Sequence, residues 1–524
     1  MTTPTRSAER PSSLRAVDAA GSALALVLVL VTTHALGAAI VSYDEGIVLT
    51  GAHLIRRGQA PYRDFYANYP PGIFLLVAGI WSVGGVQVIG VRVLGLAVRL
   101  ALAGVGGLLA ARIGGRRFSP LAAALVLDGL LPTEAVPYAY LVALALLLAA
   151  GAAGLRGRWL AAGALFGAVG CFRHDLFVYA SLLALPAVAL AGGRGGFARD
   201  GALRGALARF AVGALAPLIA VWLPALLRAG LAQPFHDLFL DQVRYVVPAR
   251  ALPLPRSLQL SPVHGAFAFV SLPGRFPVSC LLTLGAPLCA GVGVAFARRW
   301  HLERRALLVL GVSAGAVLPQ LLNRSDAIHA AYTVTPALVL AAALLERFAR
   351  RFRPAAWALA ACALLGAAGW ARDPRARLPS FDAARSVAHA APVPSHDAAA
   401  RRRVVDFVTA HSRPGDPLFV GCGDHRRVIL DDVDLYFLAD RPGATRIMQF
   451  DPDIVTRAEV QRAMIAELER SRPPVVVLRA AGCWWPEPNR SSTMGAALLD
   501  DYLRRRYADA LDADPFRVLT RRAQ

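Results

Sequence analysis

The sequence predicts a polytopic α-helical membrane protein with a soluble α/β domain at its C-terminus, and three observations support this. The 524-residue chain is 56% hydrophobic and only 17% charged, with a mean hydropathy of +0.48, which is too apolar for an ordinary soluble protein. Apolar runs of about 20 residues, enough to cross a hydrocarbon core about 30 Å thick, recur through the first two thirds of the chain. They stop near Asp373, and a mixed helix and strand pattern follows. We therefore expect a transmembrane domain over residues 1–372 and a soluble domain over residues 373–524.

The basic residues indicate the orientation of the membrane helices rather than a nucleic-acid partner. A net charge of +21 is typical of chains that bind phosphate backbones, but here the charge is distributed along the chain. There is no lysine, and arginines cluster in the short segments between apolar runs, as they do at the cytoplasmic ends of membrane helices. The clusters are Arg112/Arg116/Arg117, Arg156/Arg158, Arg194/Arg199/Arg204/Arg209, Arg298/Arg299/Arg304/Arg305 and Arg347/Arg350/Arg351/Arg353.

About eleven membrane spans are consistent with these clusters. The first apolar run, about residues 19–41, follows a polar start with Arg6, Arg10 and Arg15, so we expect an uncleaved helix with a cytoplasmic N-terminus. The apolar piece at residues 73–83 is too short to span, and we expect it to lie on the outer surface or to re-enter. With this count every cluster is cytoplasmic and the C-terminal domain is extracytoplasmic. The other spans are expected at residues 88–111, 118–135, 136–154, 158–172, 175–192, 208–228, 272–297, 305–322, 330–346 and 355–371.

The C-terminal domain alternates helical and strand patterns, which is the order of an α/β fold. No Gly-x-Gly-x-x-Gly follows a strand, so the domain carries no nucleotide-binding fingerprint. Cys422 and Cys483 each follow one of the predicted strands, and in an oxidising compartment they are either a disulfide or two unpaired thiols. We expect helices at residues 397–409 and 455–471, and strands at residues 417–420 and 474–478.

An acidic pair, Asp44-Glu45, stands where the first apolar run ends, and it is the leading candidate for an active site. The segment that follows, residues 58–72, is rich in Tyr, Pro, Gly and charge, unlike the apolar sequence around it. The predicted topology places the pair outside, together with polar groups of later outer loops. A solvated pair at a helix end is the alternative interpretation. The other outer polar groups are Arg63-Asp64, Glu134, Arg173-His174-Asp175, residues 228–272 and Asn323–His329.

These residues resemble the first loop of bacterial GT-C superfamily glycosyltransferases, integral-membrane enzymes related to protein mannosyltransferases and aminoarabinose transferases. The likeness consists of Asp44-Glu45 directly after the first helix, then Gly-x-x-Pro-Tyr-x-Asp-Phe and Tyr-Pro-Pro-Gly before a surface helix. It covers the membrane domain, most sharply residues 42–72, and extends weakly to Arg324-x-Asp-x-x-His329. The resemblance implies a polyprenyl-phosphate sugar donor and an extracytoplasmic lipid, glycan or protein acceptor at a bacterial plasma membrane. It also implies an acidic first-loop residue as the catalyst of cell-envelope glycan transfer.

The chemistry of such a transfer is compatible with one catalytic carboxylate. The leaving lipid phosphate is already a stable anion, so the reaction needs a general base for the acceptor hydroxyl more than a strong acid. A retaining double displacement would need a second carboxylate as nucleophile, and adjacent side chains rarely both reach one carbon. The chemistry thus needs one carboxylate as the base of an inverting transfer. The resemblance favours Asp44 for this role, and we assign Glu45 as a supporting or orienting group.

The remaining candidates would bind substrate. The leaving phosphate needs cations, for which arginine is suited by its paired donors; Arg173 with His174 and Arg324 with His329 are the candidates. Each has a structural alternative, an interfacial ion pair for Arg173-His174-Asp175 and a helix cap for Asp326 and His329. The resemblance also implies a second acidic residue in a later outer loop. Glu134 fits this by topology, and a turn residue is the alternative interpretation. Further candidates are the loop residues Tyr62, Asp64 and Tyr69, although interfacial anchoring is the default role for such aromatic residues.

No cofactor is predicted, and other classes of function remain as alternatives. No spacing such as His-x-x-x-His indicates a metal site, so a divalent metal is possible but unsupported. A transporter or flippase for a lipid-linked glycan is the main alternative function. Transporters commonly show internal repeats and helices broken at the midplane, whereas this sequence shows no convincing repeat and its polar residues gather at one surface. A membrane scaffold with a binding tail would leave the first loop unexplained.

Overall fold

A computed structural model of the chain describes residues 12–34, 36, 40, 43–133, 135–192, 200–254, 275–348 and 398–523. Helices make up most of the chain as far as residue 348, and the strands of the sheet lie after residue 417. The helices of the first part are α1 (Ser12–His34), α2 (Asp44–Arg56), α3 (Gly72–Gly84), α4 (Val88–Ile113), α5 (Ser119–Leu130), α6 (Ala139–Gly154), α7 (Trp159–Phe172), α8 (His174–Gly192), α9 (Asp200–Ala229), α10 (Ala232–Phe235), α11 (Val247–Arg250), α12 (Arg275–Ala295), α13 (Ala297–Trp300), α14 (Arg304–Asn323), α15 (Ala327–Thr333) and α16 (Thr335–Arg347).

Most predicted spans correspond to observed helices, but their number stays a prediction. Four helices are long and apolar enough to cross a membrane on their own, and α15 with α16 forms a fifth candidate that bends by 48°. The bend falls where Pro336, in the first turn of α16, cannot donate a backbone hydrogen bond. Several other apolar helices are shorter, and the span predicted at residues 355–371 lies outside the described part of the chain. The four helices that are long and apolar enough to span on their own are Val88–Ile113, Arg204–Ala229, Val278–Ala295 and Arg304–Asn323.

Small residues allow the helices to pack closely, as is common between membrane helices. The pair α7 and α9 shows this best. A Cβ atom added at Gly163 would lie 2.0 Å from the carbonyl oxygen of Phe210, and one at Gly167 would lie 2.0 Å from that of Ala214. Glycine is therefore required at both positions for the two backbones to approach each other.

The acidic pair and one arginine cluster lie at opposite ends of α4. Arg92, in the second turn of α4, pairs with Glu45, whereas Arg112 lies in its last turn. At a rise of 1.5 Å per residue the two arginines are about 30 Å apart along the helix. At the end that carries Arg112, the carboxylate of Glu346 accepts hydrogen bonds from the backbone of Arg117 and Phe118, both at 2.8 Å. The arginine-rich loops around residues 117 and 346 thus meet at the end distant from Glu45.

The first loop contains two helices where the sequence predicts one. The helix expected at residues 73–83 is α3. Gly72 allows its first turn to pack closely on the end of α7, because a Cβ atom added there would lie 2.4 Å from the carbonyl oxygen of Cys171. The unexpected helix is α2, which starts at Asp44 itself and buries most of its residues. It packs against α3 on one side and the C-terminal part of the chain on the other. At Gly46 an added Cβ would lie 2.6 Å from the backbone nitrogen of Asp434.

The C-terminal part forms a four-stranded mixed sheet with helices, which agrees with the expected α/β order. The strand order is β1-β2-β4-β3; β1 and β2 are parallel, and β4 is antiparallel to both β2 and β3. The predicted strands correspond to β1 and β2, whereas the hairpin of β3 and β4 is not predicted. Cys422 and Cys483 form a disulfide. The elements are α17 (Ala398–His411), β1 (Leu418–Cys422), α18 (Asp434–Leu438), α19 (Ala458–Ser471), β2 (Val475–Arg479), α20 (Leu498–Arg506), β3 (Tyr507–Ala513) and β4 (Phe516–Arg521).

Candidate active site

Asp44 is a half-buried carboxyl group at the start of α2, where the helix dipole favours a negative charge. Burial raises the pKa of Asp44 above its ordinary value, and the nearby Asp326 and Asp451 act in the same direction. The charges of Arg250 and His329 act in the opposite direction and favour the ionised form. These four residues come from three distant parts of the chain. The fold therefore gathers two further carboxylates and two basic groups around Asp44.

Glu45 has different surroundings from its neighbour. It is fully buried, and its two carboxylate oxygens accept hydrogen bonds from Nε and Nη2 of Arg92 at 2.9 and 3.0 Å. Arg92 also donates from Nη1 to the carbonyl oxygen of Leu36 at 3.0 Å. Glu45 thus joins α2 to α4, and this geometry fits an orienting role better than a direct part in proton transfer.

Asp451 connects the C-terminal domain to the first loop. Its buried carboxylate accepts hydrogen bonds from the hydroxyl groups of Tyr43 and Tyr66 at 2.7 and 3.1 Å, and from Nδ2 of Asn68 at 3.3 Å. Nη1 of Arg250 lies 3.4 Å from the same carboxylate. Asp451 therefore contacts the loop on both sides of α2 and lies beside Arg250, the arginine that acts on Asp44.

Three further ion pairs join the C-terminal domain to the same end of the bundle. Arg324 donates from Nη1 and Nη2 to Glu487 at 3.0 and 2.7 Å. The other two pairs are between Arg446 and Asp237 at 2.8 Å and between Arg57 and Asp440 at 2.6 Å. Because all three contact outer loops of the predicted topology, the C-terminal domain and Asp44 lie at one end of the molecule.

The candidate phosphate-binding arginine Arg173 is engaged in a local ion pair. It donates to both oxygens of Asp175 at 2.8 and 2.5 Å, and its guanidinium lies 5.2 Å from the ring centre of Tyr140. The imidazole of His174 packs on Phe239, with ring centres 4.6 Å apart. These contacts are those of an interfacial ion pair, the alternative interpretation of this motif. Arg173 is nevertheless close enough to Tyr69 for its charge to lower the pKa of the Tyr69 hydroxyl group.

Asp326 caps α15, as the alternative interpretation of this motif describes. It accepts hydrogen bonds from the backbone nitrogen of His329 at 2.9 Å, from Nδ1 of His329 at 2.7 Å and from Nε of Arg324 at 2.8 Å. Arg324 also bonds Glu487, so its charge is already balanced by carboxylates on two sides. Both Asp326 and His329 act on the pKa of Asp44, and His329 is the member of the motif that lowers it.

The first-loop candidates Tyr62, Asp64 and Tyr69 differ in their access to Asp44. Tyr62 is fully buried, stacks on Trp222 with ring centres 6.2 Å apart, and donates its hydroxyl to the carbonyl oxygen of Tyr69 at 2.8 Å. Asp64 closes a local turn by accepting from the backbone of Ala60 at 2.7 Å, and its bond to Arg63 lowers its pKa. Tyr69 is half-buried, and the proximity of Asp44 contributes, after burial, to raising its pKa. Of the three, Tyr69 lies at the site.

Two functional candidates were not recognised in the sequence, and one predicted candidate cannot be placed. Arg250 lies within the long outer stretch at residues 228–272, and an arginine on the side where arginine is depleted was a usable signal. Asp451 offered no comparable signal, because its partners lie about 400 positions away in the chain. Glu134 lies outside the described residues. Within the described residues, no group of three or more His, Cys, Asp and Glu is arranged to hold a metal ion.

Two cavities border the segment at residues 231–241, and Asp44 lines neither. One of about 270 Å³ lies between Tyr66, residues 236–241 and α19, and arginines, carboxylates and apolar side chains all contribute to its lining. An apolar one of about 510 Å³ is formed by Trp222 and Leu226 at the end of α9 and by residues 231–239. The segment at residues 232–250 thus borders both cavities and ends at Arg250.

The comparison with solved structures finds the same fold in a membrane enzyme. No family model matches the chain, and no curated protein matches its sequence. The crystal structure of ArnT from Cupriavidus metallidurans bound to undecaprenyl phosphate is similar with a TM-score of 0.55 at 15% identity, covering 96% of this chain and 97% of that one. The apo structure of the same protein gives a TM-score of 0.54 at 14% identity, covering 95% and 97%.

The likeness extends over nearly the full length of both chains, so it includes the C-terminal α/β part as well as the helices. At this level of identity it concerns the arrangement of the backbone, not the chemistry of the site. ArnT is an aminoarabinose transferase of the GT-C superfamily. The chain therefore has the fold seen in the ArnT structures.

Proposed function

We propose that this protein transfers a sugar from a polyprenyl-phosphate donor to an acceptor hydroxyl at the outer face of a bacterial plasma membrane. The observation that carries the proposal is Asp44, a half-buried carboxyl group flanked by Arg250 and His329 at the end of the bundle that the C-terminal domain covers. The structure of ArnT, which shares the fold, contains undecaprenyl phosphate. That ligand supports the same class of donor lipid here.

In the proposed reaction Asp44 is the general base. It takes the proton of the acceptor hydroxyl while the hydroxyl oxygen forms a bond to the anomeric carbon. The bond from that carbon to the phosphate oxygen breaks, and its electron pair leaves with the lipid phosphate. A raised pKa suits this role, because a base works best when its pKa approaches the operating pH.

The leaving phosphate would be stabilised chiefly by Arg250, with His329 in support. Arg250 is half-buried, and its closest carboxylate contact, to Asp451, is long at 3.4 Å. Arg173 and Arg324 instead each make short paired bonds to carboxylates. An incoming phosphate can therefore recruit Arg250 at a lower cost in broken bonds than the other two arginines.

Inversion at the anomeric carbon follows from the state of Glu45. A double displacement would need a second carboxylate facing the same carbon. Glu45 is fully buried, and both of its oxygens accept from Arg92. Glu45 is therefore not available as that second carboxylate, and the two other carboxylates near Asp44, those of Asp326 and Asp451, are each held by hydrogen bonds. We accordingly propose a single displacement with Asp44 as the base and an inverted product.

The outward orientation is supported by two independent features of the chain. The disulfide between Cys422 and Cys483 is typical of proteins in oxidising compartments. The arginine-rich loops meet at the opposite end of α4, where positive charge marks the cytoplasmic side. The division near residue 373 into a membrane domain and an extracytoplasmic domain belongs to the same proposal.

The test is transfer by purified protein in nanodiscs, with a panel of polyprenyl-phosphate sugars labelled in the sugar. We expect the wild type to release free polyprenyl phosphate from at least one donor, and Asp44→Asn to abolish most of that release. Asp509→Asn, at an exposed carboxylate of the C-terminal hairpin, is the matched control and should behave as the wild type. Equal release by Asp44→Asn and wild type would exclude Asp44 as the base.

The same preparation separates the transferase from the flippase alternative. In liposomes with the labelled lipid confined to one leaflet, a flippase exposes the label to an impermeant reagent on the other side without cleaving it. Translocation without cleavage of any donor would contradict the proposed function. Mass spectrometry of the products would identify the donor sugar and the acceptor.

A further inference from the structure

A row of exposed apolar side chains runs along the segment at residues 231–247. Its members follow each other at every fourth position, and Leu231 and Val243 are 74% and 72% exposed. The segment is helical and follows α9 after Gly230, whose positive φ of 73° permits a sharp change of direction. We call this row the apolar ridge; it comprises Leu231, Phe235, Phe239, Val243 and Val247.

The apolar ridge continues the lipid-facing side of a membrane helix. The exposed large apolar residues in the outer half of α9 also occur at every fourth position, and they reach Leu227, four residues before Leu231. α9 is among the helices long and apolar enough to span a membrane. The row of exposed apolar residues therefore continues at the same spacing from α9 across Gly230 into the segment. Its α9 members are Leu215, Ile219, Leu223 and Leu227.

Two π-helical turns keep the apolar ridge straight. In an α-helix of 3.6 residues per turn, residues four apart advance by about 40° around the axis, so such a row would spiral away from one face. The turns His236–Leu240 and Gln242–Val246 are π-helical. A π-helix has wider turns with hydrogen bonds between residues i and i+5, so four residues cover less than one full turn and the rotation around the axis is reversed. The two π-helical turns in the middle of the segment therefore offset much of the rotation that the α-helical turns at its ends produce.

The opposite side of the segment is bound to the rest of the protein by polar contacts. Asp237 pairs with Arg446 at 2.8 Å, and Gln242 donates to the hydroxyl of Tyr66 at 3.0 Å. The guanidinium of Arg457 lies 3.9 Å from the ring centre of Tyr245. These contacts fix the rotation of the segment about its axis, so the apolar ridge must point away from the C-terminal domain.

We propose that the apolar ridge lies in the outer leaflet of the membrane, so that residues 231–247 form an interfacial amphipathic helix. An exposed apolar row on one side and polar or ion-paired groups on the other are the pattern of helices that lie in the plane of a membrane interface. The exposed Arg228 and Arg244 sit where lipid phosphates would meet the segment. The proposal goes beyond the proposed function, since it concerns lipid contact whatever reaction the site performs.

One consequence concerns the site itself. The segment ends at Arg250, beside Asp44. Lipid contact along the apolar ridge would therefore hold Arg250 close to the depth of the lipid phosphates. This is the depth at which a lipid-linked sugar phosphate would present its reacting bond.

Spin labelling in nanodiscs tests the proposal. The four cysteines outside the disulfide, Cys171, Cys280, Cys289 and Cys362, are first replaced by alanine, and labelling is done without reductant so that the disulfide stays intact. Nitroxides are then placed singly at Leu231, Val243 and Val247. Leu227 serves as the lipid-facing reference, and Ala466, exposed on α19, as the aqueous reference. Each variant is used only if it elutes and melts as the unlabelled background does.

The readout is collision of the nitroxide with oxygen, which partitions into lipid, and with a nickel chelate, which stays in water. We expect the three ridge positions to collide more with oxygen than with nickel, as Leu227 does, and Ala466 to show the reverse. Ridge positions that match Ala466 would place the row in water and overturn the proposal. Low collision with both reagents would mean that protein covers the row, either another part of the chain or a second copy, and would also overturn it.

Discussion

Glu45 and Arg92 form a buried, two-bond ion pair that separates the adjacent carboxyl groups of the acidic pair into different environments. Their oxygen and nitrogen atoms lie 2.9 and 3.0 Å apart, and both residues are at most 5% exposed. Asp44, one position earlier on α2, faces Arg250 and His329 instead. Successive residues of a helix point about 100° apart, which is why two neighbours can have such different partners. The ion pair thus sets α2 on α4 and leaves Asp44 to the site.

Replacement of Glu45 by glutamine should destabilise the protein more than it changes the chemistry. Removal of one member of a buried ion pair typically costs about 3–5 kcal/mol, because the other charge remains buried. We expect a clearly lowered melting temperature of the detergent-purified protein. Glu459→Gln, at an exposed carboxylate of α19, is the matched control. A melting temperature equal to that of the wild type would mean that the pair does not hold α2 in place.

Replacement of Asp44 by asparagine should remove activity while it leaves stability nearly unchanged. Loss of a general base typically lowers a rate by about 10²–10⁴-fold. Asparagine keeps the size of the side chain, so the packing of α2 should survive. The measurement is the single-turnover rate of sugar release, together with the melting temperature of the same sample. A fall in both together would indicate a structural role for Asp44.

The pH dependence of transfer should report the pKa of Asp44. A base acts only when ionised, so the rate is lost as the pH falls through its pKa. Burial raises the pKa of Asp44 above the ordinary value of 3.8, so the acid limb of kcat/KM should lie above that pH. Arg250 lowers this pKa; Arg250→Gln should therefore move the limb to higher pH. Arg244→Gln, at an exposed arginine of the same segment, should leave it where it is.

The contact between Arg324 and Glu487 should couple the C-terminal domain to the membrane helices. Hydrogen bonds between charged groups contribute roughly 1.5–3 kcal/mol, and this pair makes two, at 3.0 and 2.7 Å. We expect Arg324→Gln and Glu487→Gln to lower the melting temperature, and the double variant to lower it by less than the sum. Additive effects would show that the two residues do not stabilise the docked state together.

The disulfide should stabilise the C-terminal domain and report its compartment. It joins residues 61 positions apart, and closing a loop of that length restricts the unfolded chain by about 4 kcal/mol. Cys422→Ser with Cys483→Ser should therefore lower the melting temperature of the domain. In intact cells, the wild-type pair should resist alkylation until a reductant is added. Alkylation without a reductant would contradict an oxidised, extracytoplasmic domain.

The sequence predicted the elements whose residues repeat with one clear period. The long apolar runs of α4, α9 and α14 and the strands β1 and β2 are encoded locally, because the length and apolarity of a run suffice to predict a buried element. α2 was missed because its polar ends made it look like a loop. Its burial comes from contacts with α3 and with the C-terminal domain, neither of which is adjacent in the sequence. The hairpin of β3 and β4 was missed because its exposed first strand lacks an apolar pattern.

By itself the sequence determined that this protein has membrane helices, a C-terminal α/β part and an acidic pair after the first apolar run. These properties depend on composition and on short-range periodicity. Only the tertiary structure decided which carboxylate of the pair is held in an ion pair, and that Arg250 and Asp451 stand near the other. Their contacts join residues 201 and 408 positions apart. Such contacts depend on how the helices and the domain pack together, and no local pattern records that packing.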